Sequence, residues 1–187
     1  MLATEALETF VLEASRSVDE ICATGGEALQ EAAHWFRQAA RVFVVGAGRS
    51  GLALRMTAMR LIHLGLEVHV VGDVTTPAVG EGDVLIAASA SGTTAGIVRA
   101  SEVAKEAGAG VVAITATPDS PLGRLADEIV RIPAATKHDV GDTASQQYAG
   151  GLFEQVLVLV GDALFHTLWK DLGESAGALW TRHANVE

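Results

Sequence analysis

The sequence predicts an α/β protein whose core is a five-stranded parallel sheet sandwiched by helices. Three observations carry that expectation. From Arg41 onward, short β-branched runs alternate with longer helical stretches, the pattern of a doubly wound layer. The strand candidates lack apolar–polar alternation, as expected when helices cover both faces of a parallel sheet. Two of these strands run into turns of glycine and small hydroxylated residues, and strand ends are where open α/β sheets bind ligands. A chain of 187 residues without repeats, low-complexity tracts or linkers is most simply one domain, 1–187. It divides into N-terminal helices over about 4–39 and an α/β core over about 41–187.

At the N-terminus, Leu7, Phe10, Val11, Ala14, Val18 and Ile21 recur at helical steps and share one stripe. Gly25-Gly26 breaks the pattern, and "EALQEAAHWFRQAA" resumes it as a second helix. The strand candidates are "RVFVV", "EVHVV", "DVLIAAS", "GVVAITAT" and "EIVRI", with helices starting near Ser50, Thr93 and Ser120. After the fifth strand a polar stretch, "PAATKHDVGDTASQQYAGG", leads into "LFEQVLVLVGDALFHTLWK", which is apolar nearly all round. Such a helix is buried against its own sheet or against a partner. Together with the N-terminal stripe it offers more apolar surface than one small sheet covers, which predicts a homo-oligomer.

Composition narrows the partners. Apolar residues make up 49% and charged residues 19%, the balance of a globular chain rather than a disordered one. The net charge of −10 opposes nucleic acid, whose phosphates need basic patches. It leaves an anionic small molecule open, because backbone amides at a helix start attract anions whatever the overall charge. The lone cysteine, Cys22, excludes an intrachain disulfide and fits a reducing compartment. No basic segment precedes an apolar one near the start, and no apolar run approaches the roughly 20 residues that span a bilayer. The expectation is a cytoplasmic protein with no membrane partner.

The stretch Arg41–Gly51, "RVFVVGAGRSG", contains the G-x-G-x-x-G spacing of a dinucleotide-binding turn, and Asp73 follows the next strand where a ribose ligand would sit. The spacing alone is weak, since any tight strand-to-helix turn uses it. The third strand ends in "SASGTT", Ser89 to Thr94, with four hydroxyls in six residues, which suits a compact phosphate better than a long cofactor. Asp73 lies in "GDVTTP", a turn sequence in its own right. Taken singly, Ser50, Ser91, Thr93 and Thr94 would read as helix N-caps. Two such turns on neighbouring strand ends favour an anion site.

The phrases "GAGRSGL", "AMRLIHLG", "VVGDVTTPAVGEGDVLIAAS", "GLFEQ" and the terminal "RHANVE" resemble the 6-phospho-3-hexuloisomerase family, single sugar isomerase (SIS) domains. The resemblance runs from Arg41 to Glu187 and is most specific at the terminal phrase. It implies a SIS fold of flavodoxin-like topology, commonly a homotetramer, with no metal and no organic cofactor. It also implies the interconversion of D-arabino-hex-3-ulose 6-phosphate and fructose 6-phosphate, the second step of formaldehyde fixation by the ribulose monophosphate route. Carried over by position, the substrate-binding residues are Gly48, Arg49 and Ser50 in the first turn and Ser89, Ala90, Ser91, Gly92, Thr93 and Thr94 in the second. The family's second turn usually reads S-G-S-G-E-T, so a charged side chain is lost at Thr93 while the hydroxyls are kept.

Moving a carbonyl between two carbons requires removal of a carbon-bound proton, an enediol, and return of the proton to the neighbouring carbon. One base over that edge of the sugar performs both transfers, and a second group manages the oxygen protons. A carboxylate held beside apolar surface is a stronger base. Glu154 in "GLFEQVLVLV" is such a residue, and it matches the family's proposed base; sequence alone would read it as a first-turn glutamate favouring the helix dipole. Of six histidines, His34, His69, His138 and His166 show no metal-ligand spacing. His63 and the tail residue His183 fall in matching phrases and are the candidates for the second group, at a site expected near a subunit boundary. Two rivals follow from the same resemblance: a non-catalytic sugar-phosphate-sensing SIS module, and an isomerase of another phosphosugar such as sedoheptulose 7-phosphate. The first would normally carry an effector segment, for which this chain has no spare length.

Overall fold

The strands assemble side by side in the order β2-β1-β3-β4-β5, all parallel, in a computed structural model that describes residues 2–135 and 145–185. The strands are β1 (Val42–Gly46), β2 (Val68–Val70), β3 (Val84–Ala88), β4 (Gly110–Thr115) and β5 (Glu128–Arg131). Residues 136–144 of the polar stretch before the last long helix lie outside the described residues, His138 among them. Every residue of β3 is buried, which is why the central strand shows no alternation.

Helices α1 (Ala3–Thr24), α2 (Gly26–Gln38), α3 (Gly48–His63) and α6 (Gly151–Leu172) cover one face. There Phe36, Leu54, Leu61, Phe153 and Leu157 pack with Val44, Ile86, Val112 and Ile114 of the sheet. Helices α4 (Ala95–Glu106) and α5 (Pro121–Leu125) cover the other face over Phe43, Leu85, Ala87, Val111 and Ala113. A short helix near the C-terminus, α7 (Ala176–Trp180), was not expected from the sequence, because five residues are too few for a periodic pattern.

The two apolar features singled out in the sequence behave differently. With the single turn before it, α6 is long and apolar enough to cross a bilayer, contrary to the expectation that no such run exists. It is instead a core helix, since Leu152, Phe153, Val156, Leu157, Val160, Leu164 and Leu168 are all buried. The stripe on α1 is split. Ile21 is buried and Ala14 and Val18 pack on the core, whereas Leu7 and Val11 stand in solvent together with Leu2 and Leu12.

Candidate functional site

The direction in which strands are added across the sheet reverses between β1 and β3. From β1 the chain moves outward to β2, then returns across to β3 on the other side, so the crevice outside the ends of β1 and β3 is the switch point of the sheet. Gly46 and Ala88 are register partners at those two ends. The turns Gly46–Ser50 and Ser89–Thr94 therefore open side by side. A pit of about 30 Å³ lies between them, lined by Ala47, Ser50, Ser89, Ser91, Thr94 and Glu154 among others. A larger groove of about 410 Å³ over α4 is lined almost wholly by apolar side chains, with Arg99 its one charged residue.

The first turn is tight because β1 and α3 touch. A Cβ on Gly51 would lie 2.6 Å from the Gly46 carbonyl oxygen, so the glycine spacing serves strand–helix contact. Helix α3 begins at Gly48 with Ala47 as its N-cap and no side-chain cap. Ser50 thus sits inside the first turn of the helix, buried, with its hydroxyl not used as a cap, which corrects the N-cap alternative. Among the described residues the amides of Gly48, Arg49 and Ser50 have no hydrogen-bond acceptor. They are the orphan donors that make a helix start attractive to anions.

The second turn is held from behind. Gly92 has φ +62°, and a Cβ there would collide with Ser120 Oγ. Its amide donates to Ser89 Oγ (3.2 Å) and its carbonyl accepts from Leu122 N (3.0 Å). The Ala90 carbonyl accepts from Thr115 Oγ1 and Thr117 Oγ1, both at 3.2 Å. In front, Ser89 Oγ and Thr94 Oγ1 lie 3.1 Å apart, and Ser91 Oγ and Thr93 Oγ1 lie 2.9 Å apart. Thr94 occupies the N-cap position of α4, yet its side chain makes no cap bond. The hydroxyls of Ser50 and Thr94 are thus not used as caps, and those of the second turn bond chiefly to one another across the mouth of the pit.

Glu154 forms the remaining wall. It stands in the first turn of α6 with its side chain 8% exposed. Arg49 Nε is in contact with its Oε2 as an ion pair, but without the angles of a hydrogen bond, so this buried oxygen has no hydrogen-bond donor. A buried carboxylate oxygen with an ion-pair partner but no hydrogen-bond donor calls for an explanation, and a catalytic role supplies one.

The loop that presents Glu154 is tied to α1. Glu13 accepts hydrogen bonds from Ser145 Oγ (2.7 Å), Gln146 N (2.8 Å) and Gln147 Nε2 (3.0 Å). Burial pushes the Glu13 carboxyl up, but these bonds and the charge of Arg16 outweigh it and hold it below the ordinary carboxylate value. Beyond them Ala149 has φ +50°, an unusual conformation for a residue other than glycine, and Gly150 caps α6. Sequence reasoning missed Glu13, because a carboxylate on an amphipathic helix reads as part of its solvated face.

The structure does not bring all the predicted site residues together within one chain. Ser50, Ser89, Ala90, Ser91, Thr94 and Glu154 line the pit. Arg49 stands at its rim, Thr93 is exposed beside Ser91, and Gly48 and Gly92 shape the two turns without lining it. His63 and His183 are elsewhere, since α3 carries Ser50 near its start and His63 at its end, roughly 20 Å away at 1.5 Å per residue. They stack on each other with ring centroids 4.9 Å apart, and Trp180 stacks on His183 at the same distance. Arg182 fixes this end by donating to the His63 carbonyl (3.0 Å) and to Glu174 (2.6 Å), so the chain is anchored as far as the His183 ring. Burial, then the charges of His183 and Arg60, hold His63 below the ordinary imidazole value. Asp73, the candidate ribose ligand, is occupied by Arg55 at 2.7 Å. Among the described residues no cluster of His, Cys, Asp and Glu could hold a metal ion.

The SIS domain family model matches residues 35–157, which include both turns and Glu154. The chain belongs to the SIS domain family. A 3-hexulose-6-phosphate isomerase of Mycobacterium gastri is 61% identical over 150 residues, 80% of this chain and 75% of that protein. One of Bacillus subtilis is 40% identical over 148 residues, 79% of this chain and 80% of that protein. The crystal structure of a Methanococcus jannaschii protein, from which a molecular function of 3-hexulose-6-phosphate isomerase was inferred, superposes with a TM-score of 0.83 at 25% identity. That match covers 98% of this chain and 99% of the other. The expected five-stranded SIS fold is thereby borne out.

Proposed function

We propose that this SIS domain is a 3-hexulose-6-phosphate isomerase, interconverting D-arabino-hex-3-ulose 6-phosphate and fructose 6-phosphate. The observation that carries this reading is a buried carboxylate, Glu154, whose Oε2 accepts no hydrogen bond, on the wall of a pit lined by the hydroxyls of Ser50, Ser89, Ser91 and Thr94 at the switch point. The names of the Mycobacterium gastri and Bacillus subtilis relatives support the same substrate.

The phosphate is received by the hydroxyls of Ser50, Ser89, Ser91 and Thr94 and by the unbonded amides at the start of α3. With the phosphate between the two turns, the carbon chain lies toward the mouth of the pit, beside Glu154. Starting from fructose 6-phosphate, Glu154 takes the proton from C3, the C2 carbonyl gains an electron pair, and a cis-enediolate forms. Proton transfer between the two oxygens follows, and Glu154 returns its proton to C2, leaving the carbonyl at C3.

The oxygen protons need a second group, and His63 and His183 of the same chain are too far away to supply it. A second copy answers this. Leu52, Met56 and Met59 form an exposed apolar stripe on α3, with Arg49 and His63 on the same side of the helix. Antiparallel packing of two such helices about a two-fold axis near Met56 sets the second copy's His63 opposite Arg49. The exposed part of the α1 stripe, through Leu7 and Val11, is a separate apolar face. Two distinct self-complementary faces produce a tetramer. The free thiol of Cys22 suits a cytoplasmic enzyme.

The deciding experiment is to incubate the protein with fructose 6-phosphate and follow the 3-ketose by NMR. Appearance of the hex-3-ulose, with loss of the C3 proton signal in D2O, is expected. Neither product nor exchange would leave a sugar-phosphate-binding module without this chemistry.

A further inference from the structure

Arg49 is placed oddly for a residue that only binds phosphate. Its backbone amide belongs to the unbonded set at the start of α3, facing the anion site, while its guanidinium stands on Glu154. The pairing covers Oε2, the buried oxygen of the carboxylate, which accepts no hydrogen bond. While Arg49 stands on it, Oε2 cannot reach a C–H bond. The contact is also easily given up. The Arg49 side chain is 67% exposed, its ion pair lacks hydrogen-bond geometry, and a phosphate dianion offers the guanidinium a doubly charged partner with two parallel acceptors.

We propose that Arg49 is a phosphate-operated cover for the base: phosphate in the pit draws the guanidinium off Glu154 and leaves Oε2 open to the carbon-bound proton. Arg49 is then a positioning residue whose movement makes proton abstraction depend on the phosphate, although the phosphate lies several bonds from the reacting carbons. Sugars without phosphate meet a covered base, which gives discrimination beyond binding strength. While it remains near the anion, the guanidinium also screens the phosphate from the Glu154 carboxylate. This inference rests on the assignment of Glu154 as the base.

The test separates phosphate from sugar. Fructose is incubated with the enzyme in D2O, with and without saturating phosphite dianion, and loss of the C3 proton signal is followed by NMR. In the wild-type protein phosphite should accelerate exchange by roughly tenfold or more, the scale of ordinary coupling between two ligands. In Arg49→Ala the exchange without phosphite should rise several-fold, and phosphite should then add less than about twofold. An Arg49→Ala protein that still responds tenfold to saturating phosphite, or whose unstimulated exchange is slower than wild type, overturns the proposal. The Glu154→Gln variant in the same assay distinguishes the two ideas: continued exchange there removes the base assignment itself, whatever Arg49 does.

Discussion

Replacing Glu154 with glutamine removes the proton acceptor and very little else. Glutamine has nearly the same shape, so the buried contacts of this side chain in the first turn of α6 are kept. Because Oε2 accepts no hydrogen bond, none is lost with it. What disappears is the ion pair of the buried carboxylate with Arg49, whose guanidinium is mostly in solvent and stays hydrated without it. Removing the charge also removes the cost of burying it, so the two effects oppose each other and leave about 0–1 kcal/mol. Stability should therefore change by no more than about 1 kcal/mol, while kcat falls roughly 10²–10⁴-fold. That loss is about 2.7–5.4 kcal/mol of barrier. KM should hold within a few-fold, since the hydroxyls and amides of the two turns are untouched. Steady-state kinetics coupled to fructose 6-phosphate consumption, solvent deuterium exchange at C3 and a thermal melt give the three readouts. A folded Glu154→Gln protein with kcat within tenfold of wild type and exchange intact would refute the assignment. A melt lowered by many degrees would show instead that Glu154 supports the fold.

Three further outcomes follow from the same geometry. Ser50→Ala and Ser91→Ala each remove a hydroxyl donor to a charged acceptor, worth about 1.5–3 kcal/mol, so KM should rise roughly ten- to hundredfold with the fold intact. Unchanged KM in both would place the phosphate elsewhere. Met56→Glu sets like charges against each other at the middle of the α3 stripe and should split the oligomer in sedimentation with loss of activity; a fully active monomer would defeat the assembly argument. Glu13 has a depressed carboxyl, so its contribution to stability is complete above the ordinary carboxylate value and is lost as pH falls through the lowered one. Denaturation between about pH 5 and pH 3 should accordingly be shallower in pH for Glu13→Gln than for wild type, and identical slopes would show that the Glu13 bonds do not couple to folding.

The sheet and its turns were legible in the sequence for a physical reason. A parallel strand covered on both faces must be apolar throughout, and a strand end that meets a helix closely must use glycine, so "RVFVVGAGRSG" and "DVLIAASASGTT" declare themselves locally. Helix boundaries were less so. With α3 starting at Gly48, Ser50 falls inside the helix, a shift of two residues that turns a plausible cap into a free hydroxyl. The hydrogen bond from Gln147 to Glu13 joins residues 134 positions apart, and no local pattern announces it. Helix length explains the largest gap between the expected site and the observed one. The sequence placed His63 on the helix that starts at the phosphate turn, which is correct, but a rigid helix holds its two ends apart as firmly as it connects them. Ser50 and His63 of one chain cannot meet over a single sugar without unwinding α3, whose Ala53, Leu54, Ala58 and Leu61 are buried in the core. If both act on the same substrate, the helix must supply its two ends to different sites. The exposed Leu52–Met56–Met59 stripe lies midway between those ends, so a two-fold axis there would serve both sites at once.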